Sequence, residues 1–163
     1  PAELERLESL LVGPGGGPLD PVHEAVEFTD GCRGGLWMVE VYFPVQFHAM
    51  RHVLCRDDAE FVQSLARSHS VTRQGGKSGA GFSVSHDARV LLKHINKHEL
   101  EIFRSFGPQF FRHYAHVLFR GRVSLLTEIY GIYRLTYRPP HGKPTKYTVM
   151  AMRNILYGAP CSA

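Results

Sequence analysis

A chain of 163 residues suits a single domain, at a prior of roughly 150 residues each, and 44% hydrophobic against 21% charged residues excludes a disordered chain. No apolar run approaches the ~20 residues that cross a bilayer, and no N-terminal signal pattern is visible. A net charge of +4 favours anionic partners, while three dispersed cysteines without a Cys-x-x-Cys pair exclude a disulfide framework and a zinc site and read as reduced thiols in a cytosol-facing protein.

The chain opens on Pro1 rather than Met, so it is expected to be an excised piece of something longer. Leu4, Leu7 and Leu11, interleaved with Glu3, Glu5 and Glu8, predict a helix over 1–12. Gly13 to Pro18 reads Gly-Pro-Gly-Gly-Gly-Pro, a linker, so residues 1–20 are read as a leading helix and connector, with the domain proper at 21–163. Val26 and Phe28 alternate with Glu27 and Thr29, and Val39, Val41 and Phe43 with Glu40 and Tyr42, giving two strands about a Gly31–Gly35 turn. The period then changes: Phe47, Met50, Val53 and Leu54 are spaced for a helix, and Asp57 or Asp58 caps another carrying Phe61, Val62 and Leu65.

Phe82 and Val84 alternate with Ser83 and Ser85, and Asp87-Ala88 turns the chain into Val90–Lys93 as a hairpin. A helix over 97–106 is broken by Gly107-Pro108, and a second helical stretch runs from Gln109 to about Leu118. Strands around Ile129–Tyr137 and Tyr147–Met152, joined by Pro139-Pro140-His141-Gly142, complete an α+β pattern of antiparallel sheet and packed helices.

Chemistry concentrates between Gly75 and Glu99. Gly75-Gly76-Lys77-Ser78-Gly79 contains Gly-Lys-Ser, but a P-loop needs a glycine five residues earlier, where Val71 stands, and a helix next, where the pattern is strand-like. A glycine-rich turn whose backbone N–H groups approach phosphate oxygens fits better, although alone it is more often an ordinary hairpin loop. Lys93 ends the return strand, where a lysine usually just reaches solvent. At 100° per residue Glu99 falls on the stripe of Ile102, Phe103 and Phe106, whereas Glu101 shares a solvated face with Arg104 and Ser105. A buried carboxylate stripped of its partner costs about 3–5 kcal/mol, so a Lys93–Glu99 ion pair is predicted. Glycine-rich hairpin, strand lysine and helix glutamate, in that order, form the nucleotide-gripping half of a kinase.

The stretch from Val26 to Gly158 resembles the N-terminal lobe of the phosphatidylinositol phosphate kinases, most closely the type that phosphorylates phosphatidylinositol 3-phosphate at the 5-position. The resemblance is carried by Phe47-His48-Ala49-Met50-Arg51, Phe61-Val62-Gln63-Ser64-Leu65, the Gly75–Gly79 segment, Leu91-Leu92-Lys93 and Glu99-Leu100-Glu101. Phe106-Gly107-Pro108, Phe110-Phe111, Gly131-Ile132-Tyr133-Arg134 and Asn154-Ile155-Leu156-Tyr157-Gly158 continue it. It implies a kinase N-lobe fold, ATP as the bound nucleotide, a phosphoinositide lipid as acceptor, and a peripheral, cytoplasmic place on endosomal or vacuolar membranes. It assigns Lys93 to the ATP phosphates, Glu99 to positioning that lysine, Gly75, Gly76, Lys77, Ser78 and Gly79 to the phosphate loop, and Met152, Arg153, Asn154 and Ile155 to the hinge beside adenine. Two positions depart from the family: Gly81 stands where relatives often carry a bulkier residue, and Arg153 where an acid or Asn is usual. The catalytic and Mg-binding aspartates belong to a C-terminal lobe not contained in these residues, so no metal ligand is assigned and the fragment alone is expected to be inactive. It is also expected to bare apolar surface where that lobe packs, and to self-associate.

Other patterns carry less. Ser85-His86-Asp87 has triad residue types, but neighbours in sequence do not converge as a relay. The pairs His94/His98 and His113/His116 have helical metal spacing without a third ligand. Arg104, Arg112, Arg120, Arg122, Arg134 and Arg138 read first as a solvated surface and second as a basic face for an anionic membrane. Nucleic acid is not the expected partner, because no helix-turn-helix, zinc finger or RNP-type motif accompanies the charge. The alternative to a kinase lobe is a non-catalytic module derived from one, regulating by docking to a partner or membrane.

Overall fold

Seven strands join one antiparallel sheet in the computed structural model, which describes residues 2–13, 23–55, 58–71 and 81–158. The elements are α1 (Ala2–Val12), β1 (His23–Thr29), β2 (Leu36–Tyr42), α2 (Pro44–Leu54), α3 (Asp58–Leu65), β3 (Ser68–Val71), β4 (Phe82–Ser85), β5 (Val90–Ile95), α4 (Lys97–Arg120), β6 (Ile129–Arg138) and β7 (Thr145–Arg153). Their order across the sheet is β1-β2-β6-β7-β5-β4-β3. The α+β reading holds, and with it the resemblance to a kinase N-lobe.

Strand alternation sorts the side chains onto two faces. One carries Tyr42, Ile132, Met150 and Ile95 against α2 and α4, with Phe43, Phe47, Phe103 and Phe111 in the same cluster. The other carries Val90, Leu92 and Ala151 at one end, where Phe61 of α3 packs. Toward the opposite end of that second face Val26 and Phe28 are half exposed.

Three sequence readings need correction. First, α4 is continuous over 24 residues although Pro108 lies inside it. Proline deletes one backbone hydrogen bond at about 3 kcal/mol, but helix on both sides is pinned by buried Phe103, Phe110 and Phe111. Gly107 contributes closeness rather than flexibility, since a Cβ there would sit 3.0 Å from Phe43 Cζ. Second, Phe43 does not end a strand. It precedes α2 with φ 51, a left-handed conformation rare for a bulky residue, and its ring is wholly buried between Phe103 and Phe111. Third, the leading helix does not hang free as a connector: Leu7 and Leu11 are buried in the main cluster, and Glu8 Oε1 accepts from Arg120 Nη2 at 2.9 Å.

A strand that the periodicity did not reveal, β3, pairs with β4, so the hairpin widens to a three-stranded edge. The Gly75–Gly79 loop lies outside the described residues.

Candidate nucleotide site

Lys93 and Glu99 meet. Lys93 Nζ lies 2.7 Å from Glu99 Oε1, with about a quarter of each side chain exposed. Register places Lys93 opposite Met150 and Phe82, on the face that α4 covers. Glu99 is fixed from a second direction, because its Oε2 accepts from the Asn96 N–H at 2.9 Å while Asn96 Oδ1 accepts from the Glu99 N–H at 2.9 Å. This reciprocal capping box starts α4 and holds the carboxylate in one rotamer, so one oxygen aligns the helix and the other aligns the lysine. The Asn-x-x-Glu spacing was readable in the sequence and was missed.

The pair forms for a different reason from the predicted one. Ile102 and Phe106 are 48% and 41% exposed, so they do not flank Glu99 on a buried stripe. The core line of α4 runs through Leu100, Phe103, Gly107, Phe110, Phe111 and Tyr114, and Glu99 stands at its border. Cutting the helix at Pro108 had hidden the half that sets this line.

Hydrogen bonding to Lys93 and to the Asn96 N–H holds the Glu99 carboxyl below its ordinary range, against a smaller opposing effect of burial. A carboxylate with a lowered folded-state pKa adds stability above its unfolded pKa and loses it as pH falls through the folded value. Glu99→Gln, which keeps an acceptor for Asn96 but no charge, is therefore expected to match the parent in strong acid. It should fall behind above about pH 4.5, by less than about 1 kcal/mol, because the pair is partly solvated. Urea midpoints taken from about pH 2.5 to about pH 7 check this; a constant gap would show that the charge is not what matters.

Beside the pair opens a cleft of about 400 Å³, walled by Phe82, Phe106, Phe110, Ile129 and Met152, with Lys93 at its polar side. Sequence reasoning placed only Lys93 and Met152 there. The other hinge residues turn elsewhere. Arg153 Nη1 donates to Glu128 Oε1 at 2.9 Å, Asn154 Nδ2 donates to Ala88 O at 2.7 Å, and Ile155 is 74% exposed. The Arg153 and Asn154 N–H groups are also taken, by Glu128 O and Arg89 O. The side chains of Arg153 and Asn154 thus anchor the end of β7 rather than face the cleft, which is why an Arg is compatible with this position.

The remaining patterns resolve into structure. Asp87 Oδ1 accepts from Ser85 Oγ and Ser64 Oγ at 2.6 and 2.7 Å, a turn lock and no relay, with Ser85 wholly buried. His113 Nε2 lies 2.8 Å from Ser124 Oγ. Of the arginines, Arg104 pairs with Glu101, Arg120 with Glu8 and Arg134 with Glu40, so half of the supposed basic face is neutralised. On the opposite face of the sheet a cavity of about 350 Å³ reaches Cys55, Phe61 and Arg89, but Arg89 is paired with Glu60.

A sheet whose strand lysine is clasped by the first turn of a long helix, beside an apolar cleft, has the architecture of the smaller lobe of a kinase. Residues 64–160 match the family described as phosphatidylinositol-4-phosphate 5-kinase, and the chain belongs to that family of phosphatidylinositol phosphate kinases. It is 38% identical over 120 residues to a putative 1-phosphatidylinositol-3-phosphate 5-kinase of Arabidopsis thaliana, FAB1C, covering 73% of this chain and 7% of that protein. It is 34% identical over 142 residues to 1-phosphatidylinositol-3-phosphate 5-kinase FAB1A of the same plant, covering 85% of this chain and 8% of the relative. Against the 1-phosphatidylinositol 3-phosphate 5-kinase of Homo sapiens the figures are 30% over 138 residues, 83% of this chain and 6% of the relative. The chain thus spans less than a tenth of each of these relatives.

Proposed function

We propose that this chain is the ATP-gripping lobe of a lipid kinase that transfers the γ-phosphate to the 5-hydroxyl of phosphatidylinositol 3-phosphate. The observation that carries the reading is the 2.7 Å contact of Lys93 with Glu99 at the polar side of the apolar cleft. The residues suit the nucleotide: Phe82, Ile129 and Met152 offer apolar walls to a base, and Lys93 offers a cation to the α- and β-phosphates. Glu99 keeps that ammonium from swinging away. Adenine lies against Met152, and the Gly75 to Gly79 segment is assigned to the phosphates by the family resemblance. Bound Mg-ATP supplies the phosphoryl group and most of the charge that must be neutralised.

The lobe does not complete the reaction by itself. Metal ligands and the group that orients the acceptor hydroxyl come from a second lobe, for which the segment after α4 is a ready surface: Val123 is 89% exposed and Leu125 fully so, with half-exposed Leu126 at the cleft. Incubation of the chain with Mg-ATP and vesicles containing phosphatidylinositol 3-phosphate should therefore show saturable nucleotide binding and no phosphorylated lipid. Turnover at about 1 s⁻¹ or faster would overturn the division of labour, and absence of ATP binding at millimolar nucleotide would overturn the gripping role.

A further inference from the structure

The turns at one end of the sheet carry a surface that the nucleotide site does not use. Strand register brings Phe28, Trp37 and Tyr137 into one cross-strand row on the face away from α4. The Phe28 and Trp37 rings lie 6.4 Å apart, the Trp37 and Tyr137 rings 4.7 Å apart, and Phe28 remains 51% exposed. The β1–β2 and β6–β7 turns lie side by side, with a Cβ on Gly34 falling 3.6 Å from Pro140 Cγ. On and beside these turns stand Arg33, Arg138, Lys143 and Lys146, all exposed and none in an ion pair among the described residues. The one carboxylate within the turns, Asp30, is held by its own turn, its Oδ1 accepting from the Cys32 and Arg33 N–H groups.

We infer that this aromatic and basic tip docks on the surface of an anionic bilayer. The four cations outnumber the one carboxylate within the turns, and two adjacent turns at one end of the sheet can meet a plane together. Trp and Tyr rings with apolar bodies and polar edges suit the headgroup level, and each Lys or Arg near an anionic leaflet strengthens attachment about fivefold. Stacking of nucleic-acid bases is disfavoured, since the three rings are spent against one another and offer no separate open faces. Phe82 and Val71, the ends of β4 and β3 that residues 72–80 join, run out toward the same end of the sheet. The inference deepens the lipid-kinase reading by naming how the lobe meets its membrane, yet attachment itself does not depend on Lys93.

Co-sedimentation of the chain with vesicles tests it. Binding is expected to phosphatidylcholine vesicles carrying phosphatidylserine, to weaken with salt, and to be near absent on phosphatidylcholine alone. Arg33→Gln with Lys143→Gln should weaken partitioning about 25-fold, about fivefold for each charge. Phe28→Ser, on a half-exposed ring, should weaken it as well with unchanged circular dichroism. Arg112→Gln with Arg122→Gln, in the second half of α4 and just beyond its end, should change it by no more than about twofold. Equal binding by the Arg33/Lys143 variant, equal binding to neutral vesicles, or tighter binding to single-stranded RNA at matched salt would overturn the docking surface. ATP titration on the same variants keeps the two readings apart, because it reports the nucleotide cleft whatever the vesicles show.

Discussion

Lys93→Met is expected to remove measurable ATP binding from the chain, and to lower turnover by a factor on the order of 10²–10³ in a kinase domain that carries this lobe. Lys93 is the cation at the cleft, aimed by Glu99 at 2.7 Å, while methionine keeps most of the aliphatic length and none of the charge. The effect should be chemical rather than structural. With both side chains about a quarter exposed, losing the pair costs no more than about 1 kcal/mol, so the urea midpoint should barely move. Lys93→Arg should not rescue, because a longer planar guanidinium cannot occupy the position of a compact ammonium held by one carboxylate oxygen. Glu99→Gln should fall between: the lysine remains but loses its charged guide, so the Michaelis constant for ATP rises while the variant's urea midpoint falls only slightly. If Lys93→Met titrates with ATP as the parent does and turns over normally, the lobe is a docking module and no nucleotide grip.

Much of this site was legible because it depends on local spacing. Lys93 and Glu99 are six residues apart across one strand-to-helix turn, and a turn that short leaves few ways to keep their charges separate. The strands carrying Val39, Phe82 and Ile132 announced themselves by alternation, which requires nothing beyond two unlike faces. What stayed hidden depends on distant partners. Sheet order places β6 between β2 and β7, a choice made by packing that no single strand reveals. The burial of Leu11 needs α2 and α4 beside it, and the continuity of α4 through Pro108 needs Phe43, far upstream, to occupy the space above Gly107. The hinge shows the same limit: Arg153 reads as a departure from the family, but Glu128 absorbs its charge in a contact that sequence spacing does not mark.

Phe103→Ala should be the most destabilising single change in α4, costing about 3–5 kcal/mol, enough to unfold a marginal lobe. Phe103 is 2% exposed and its ring is within 6.3 Å, centroid to centroid, of those of Phe43, Phe47, Phe106, Phe110 and Phe111. Truncation leaves a void that α2 and the bent backbone at Phe43 cannot both fill, since Phe43 is already committed to its left-handed turn. The residue sits one helical turn after Glu99, so the same void loosens the end of the helix that orients Lys93. Ile102→Ala, on the exposed neighbour, should cost about 0.5 kcal/mol or less and leaves helix propensity almost unchanged. Phe106→Ala separates function from stability, because that ring is 41% exposed yet walls the cleft: it should weaken ATP binding while costing less than half of what Phe103→Ala costs. Urea unfolding of the three variants followed by tyrosine and tryptophan fluorescence decides the order. A Phe103→Ala cost below about 1 kcal/mol would mean that α4 is held by something other than its aromatic stripe, and that the Glu99 end of the helix is not anchored through it.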